Sequence, residues 1–159
     1  MRNCRALSAL FVVLLASCSQ YQSTRIIGMA DLPLKTTDLP SERWQEAPLR
    51  ANAQYAMYRA NSNKERELCI GDYYFLRWYD AEPTKPVRIE MQYTQALTGA
   101  DVLTRTIEYN EPREDSGSRK DTFHFSGPDR AKRGDVMTWK VNLYVDGQPV
   151  DSLQSYLWE

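Results

Sequence analysis

Histidine and cysteine are nearly absent from this chain, with one His and three Cys in 159 residues. That scarcity excludes a structural zinc site, which gathers four nitrogen or sulfur ligands. Carboxylates are plentiful but scattered, and none follows the DxDxDG-like spacing of a calcium loop, so no metal or other cofactor is expected. Long apolar runs are missing too. The longest, at residues 6–16, falls short of the roughly 20 residues that a membrane-crossing helix needs. Basic residues are not in excess, 20 against 21 acidic ones, which argues against a nucleic-acid partner. The one tight basic cluster, Arg130, Lys132 and Arg133, is flanked by Asp129 and Asp135 and reads as a solvated loop. No repeat or low-complexity tract is present.

What is there begins at the N-terminus. Arg2 and Arg5 precede the apolar stretch ALSALFVVLLA, and the polar run 17–23 follows it, the layout of a secretory signal rather than a span. The stretch ends in Leu15, Ala16, Ser17 and Cys18. This quartet resembles the lipobox of bacterial lipoproteins, and the resemblance covers the first 18 residues. It implies a diacylglycerol on the Cys18 sulfur, cleavage just before Cys18, and anchoring of the mature chain to a membrane by several acyl chains. Ser19 in place of Asp implies, by the enteric sorting pattern, delivery to the outer membrane. The expected divisions are a lipoprotein signal peptide at 1–17, a lipidated N-terminus, tether and lead-in at 18–50, and a folded domain at 51–159.

On this reading Cys4 leaves with the signal and Cys18 is consumed by lipid, so Cys69 is the sole free thiol and no internal disulfide can form. Arg2 and Arg5 also leave, taking the formal charge from −1 to −3. The domain must therefore rest on an apolar core.

The lead-in holds Pro33, Pro40 and Pro48, with a short helical segment expected from Ser41 to Glu46. Beyond it the pattern becomes short alternating segments divided by turn residues. Residues 87–95 place Val87, Ile89, Met91 and Tyr93 on one face, and 136–145 do the same with Met137, Trp139, Val141, Leu143 and Val145. Further strands are expected at 54–59, 69–79, 102–109, 121–126 and 150–158, with Asp146-Gly147 as a hairpin turn. Seven strands at this spacing predict an all-β, Ig-like antiparallel β-sandwich, with an up-and-down barrel as the alternative. Trp78 or Trp139 is the expected core tryptophan.

Chemistry-bearing residues are few. Cys69 and His124 form the only thiol and imidazole pair of the mature chain, but Cys69 has no glycine turn beside it to form an oxyanion hole. His124, between Phe123 and Phe125, is expected to point to solvent. Arg133-Gly134-Asp135 matches the integrin-recognition tripeptide, which turn logic before a strand explains equally well. The strand at 69–79 turns Ile70, Tyr74, Leu76 and Trp78 inward and Tyr73, Phe75, Arg77 and Tyr79 outward. Tyr73, Phe75 and Tyr79 are thus candidate binding residues, able to stack on sugars or anchor a protein unless residues 26–57 fold back over them. The expectation is a non-catalytic, lipid-anchored envelope module for binding or assembly, its partner a protein or glycan. The alternatives are an envelope polymer hydrolase and a carbohydrate-binding module.

Overall fold

The structure, a computed structural model, describes residues 23–35, 37 and 47–158. Cys18, the lipobox and the helical segment expected at 41–46 lie outside the described residues. In chain order the elements are β1 (Arg25–Leu34), α1 (Ala47–Ala56), α2 (Asn63–Cys69), β2 (Gly71–Asp80), β3 (Val87–Gln95) and β4 (Leu103–Tyr109). They continue with β5 (Gly117–Ser126), α3 (Gly127–Arg133), β6 (Val136–Val145) and β7 (Gln148–Gln154). The strands form two antiparallel sheets, β1-β2-β5 and β4-β3-β6-β7, with no closed barrel. This is an Ig-like antiparallel β-sandwich in which the fourth strand joins the second sheet. Among the described residues no helix is long and apolar enough to cross a membrane.

The core lies between the sheets. Tyr74, Leu76, Trp78, Phe123 and Phe125 face Ile89, Met91, Tyr93, Val141 and Leu143 across it. Of the positions expected to face inward, Ile89, Met91, Val141 and Leu143 are fully enclosed, Trp139 and Ile70 are half-buried, and Met137 is exposed where β6 shifts register against β3. The core tryptophan is Trp78, whose indole N–H donates to Asp121 at 2.7 Å. Asp146 and Gly147 both have positive φ, as a tight hairpin turn requires.

Four expectations need correction. Residues 25–34, assigned to the tether and lead-in, form β1, which pairs with β2 along its length and takes Pro33 on the sheet edge. The strand expected at 54–59 is instead the end of α1 and the turn after it. Ala53 and Met57, four residues apart, share one buried helical face, and the alanines around them favour helix. The strand expected from Cys69 starts at Gly71, because Cys69 closes α2. A Cβ at Gly71 would sit 2.2 Å from the Phe125 carbonyl oxygen, so only glycine lets β2 meet β5 there. The basic cluster 130–133 is helical, in α3, rather than a loop.

Candidate functional site

The outer face of the β1-β2-β5 sheet is where the candidate residues lie. β2 alternates as its sequence requires, with Tyr74, Leu76 and Trp78 in the core and Tyr73, Phe75, Arg77 and Tyr79 on the opposite side. β5 adds His124, Thr122, Lys120 and Ser118 in register with those four. α1 then covers one end of the face. Ala53 and Met57 press onto Leu32, Leu34 and Tyr73, forming a second, smaller core.

That cover divides the expected aromatic row. Tyr73 is 5% exposed, its hydroxyl donating to the Cys69 carbonyl at 2.6 Å. The expectation of an open Tyr73 is corrected, because residues 47–57 fold over it. Phe75 is half-buried, 6.1 Å from the edge of Tyr55 on α1. Tyr79 lies beyond the helix with the Arg25 guanidinium 5.6 Å above its ring. The three rings therefore do not form one open stacking surface. Tyr73→Ala is expected to lower stability by about 3 kcal/mol, as loss of a core ring does. Urea unfolding checks this, and a variant that unfolds like the parent would mean that α1 does not depend on Tyr73.

Where the helix stops short, a groove of about 680 Å³ remains between α1 and the sheet. Asn52 and Tyr55 form its helical wall, Phe75 and Arg77 its floor, and Lys120 and Thr122 its far side. Apolar rings at one end and two cations at the other suit an anionic partner with some apolar surface. Arg77 was placed on this face by the alternation of β2. Lys120 was not, because it fell in a predicted loop that proved to be the first turns of β5.

Cys69 and His124 do line one shallow pocket, of about 580 Å³, beside Tyr73. Among the described residues no hydrogen bond joins the two. Burial and the Glu65 charge push the Cys69 thiol up, and its hydrogen bond goes to the Glu65 carbonyl at 3.4 Å. Burial and the Arg105 charge hold His124 below the usual imidazole value, and its exposed ring stacks on Tyr73 at 6.1 Å. A protonated thiol is a poor nucleophile. Among the described residues no three His, Cys, Asp or Glu side chains gather to hold a metal. In the Arg133-Gly134-Asp135 tripeptide each charge is already paired, Arg133 with Asp129 at 3.2 Å and Asp135 with Arg130. Comparison of the chain with protein-family models, with curated proteins and with solved structures finds no match, which leaves the groove's own chemistry as the guide to its partner.

Proposed function

We propose that this chain is a lipid-anchored protein of the bacterial envelope, held by Cys18, that works by binding rather than catalysis. The outer membrane is the membrane that Ser19 favours. The observation that carries the binding role is the groove between α1 and the outer sheet face, where Tyr55 and Phe75 meet Arg77 and Lys120. Such a site combines apolar contact area with charge-assisted hydrogen-bond donors. The hydrolase alternative would rest on Cys69 and His124, and the raised thiol speaks against it. Stacking on a sugar, if it occurs, falls to Tyr55 and Phe75 rather than to Tyr73.

The anchor is tested by metabolic labelling with a fatty-acid analogue. The wild type is expected to take up label and to be cleaved before Cys18, and Cys18→Ala to remain uncut and unlabelled. An unlabelled wild type, or normal cleavage of the variant, overturns the anchor.

A further inference from the structure

The outer sheet face and the helix seated on it carry a charge imbalance. Arg77 on β2 and Lys120 on β5 stand directly opposite each other across the antiparallel pair, and both are exposed. Neither makes an ion pair with another described residue. Like charges opposite each other on one sheet face repel, and an anion bridging them relieves that repulsion. Arg25 extends the pair along the face above Tyr79.

The carboxylates of the same strands do not offset these cations. Asp72 accepts the Val136 N–H, Asp80 is held by Arg113 and Arg119, and Asp121 accepts from Trp78 and Tyr109, all toward the interior. Asp31 lies opposite Tyr74 on the edge strand, where it is exposed, three register positions from Arg77. Residues 47–60, which hold α1, contain Arg50 and Arg59 and no acidic residue. Among the described residues of β1, β2, β5 and α1, the outward-facing charges are thus mostly cationic, with Glu65 and Glu67 set apart on α2. Tyr55 and Tyr58, 64% and 72% exposed, and Ile27 add ring and apolar surface next to them, a composition that favours the headgroup level of a bilayer.

The tether supplies the second argument. β1 begins at Arg25, seven residues after Cys18, and seven extended residues reach at most about 25 Å. We infer that this face docks on anionic phospholipid headgroups of the leaflet that holds the anchor, with a phosphate received between Arg77 and Lys120. The inference rests on the binding role given above to this face and names its partner. Glu111, Glu114 and Asp115 lie in the loop between β4 and β5, beyond the strand end at which Arg25 pairs with Tyr79.

Vesicle cosedimentation tests it. The described elements begin at Arg25, so a chain begun at Ser19 keeps all of them and needs no lipid of its own. It is expected to bind vesicles of phosphatidylcholine mixed equally with phosphatidylglycerol, and not phosphatidylcholine alone. The double variant Arg77→Gln, Lys120→Gln should lose about twenty-fivefold in partitioning, since each cation at an anionic surface contributes about fivefold. Lys132→Gln with Lys140→Gln removes the same charge from α3 and β6 and should bind like the parent, and all three chains should melt alike. Equal binding to both vesicles, equal losses in the two double variants, or binding to polyglutamate without binding to vesicles would overturn the inference. A chain labelled with fatty acid that ignores anionic vesicles fails the docking alone. One that binds vesicles but takes no label fails the anchor alone.

Discussion

Replacing Trp78 by alanine is expected to cost about 5 kcal/mol, comparable with the whole stability of a domain this size. Trp78 is completely enclosed, packs 5.9 Å from Tyr109 on the other sheet, and donates to Asp121. Asp121 accepts from the Tyr109 hydroxyl as well, so one carboxylate on β5 ties β2 to β4 across the core. Deleting the indole leaves a cavity and strips a partly buried carboxylate of one of its two donors. Trp78→Phe keeps most of the volume and loses the N–H, so it should cost less than half as much. Trp139→Ala provides the contrast. Its ring is half-buried against Tyr74 at 6.0 Å, and its loss should cost about 2 kcal/mol. Urea unfolding monitored by circular dichroism ranks the three. A Trp139 variant weaker than the Trp78 variant would mean that the core is centred elsewhere.

The reason Trp78 and Trp139 could not be ranked from sequence is positional. Both sit on an interior strand near one of its ends, but Trp78 is enclosed by Tyr109 and Asp121 of other strands, whereas Trp139 directly follows the irregularity at which β6 shifts register against β3. Alternation reports the face and not which neighbouring strands close over it. The bounds of the strands at 87–95 and 136–145 were legible because β3 throughout, and β6 from Val141 onward, bury every second residue. β1 was not, since Gly28, Asp31 and Pro33 break its pattern and it borrows its regularity from β2.

Helices that cover a sheet are harder to see than the sheet. The capping box of α2 was written in the sequence as Ser62 and Glu65, and both of its bonds form, at 3.2 and 2.9 Å. Pro128 and Gly134 likewise bracket α3. Each helix spans only seven residues, too short for periodicity to outweigh the strands around it. At the candidate face, the alternation that placed Phe75, Arg77 and Tyr79 on the outer side was correct, but only Arg77 is exposed and both rings are half-buried. What covers Tyr73 comes from 20 residues earlier, at Ala53, a tertiary contact that local pattern does not contain.

Asp80→Ala is the second change expected to be severe, at about 4 kcal/mol, because it leaves buried positive charge without a counterion. Asp80 is fully enclosed at the end of β2, and its Oδ2 accepts from Arg113 Nε at 2.6 Å and Arg119 Nε at 2.8 Å. Arg113 also donates to the carbonyls of Glu82 and Lys85, so the carboxylate pins the β2-β3 turn and the β4-β5 loop together. Burial works to raise the Asp80 pKa, and the bonds and charges of Arg113 and Arg119 overcome it, leaving the group below the usual carboxylate range. A lowered folded pKa means that this stabilisation is complete above the unfolded value near about 3.9 and is lost as pH falls through the folded one. Asp80→Asn keeps the shape without the charge. Its stability should therefore be lower at neutral pH and decline less on acidification, as urea unfolding at successive pH values would show. Parallel decline of parent and variant below about pH 4 would mean that the ionised Asp80 contributes nothing in acid. The same corner holds the start of the tether: the Ala81 N–H, next to Asp80, donates to the Thr24 hydroxyl at 3.0 Å. Loosening it should free Arg25 from Tyr79 and weaken vesicle binding without touching Arg77 or Lys120, so the milder Asp80→Asn chain links the stability of this corner to the orientation of the face.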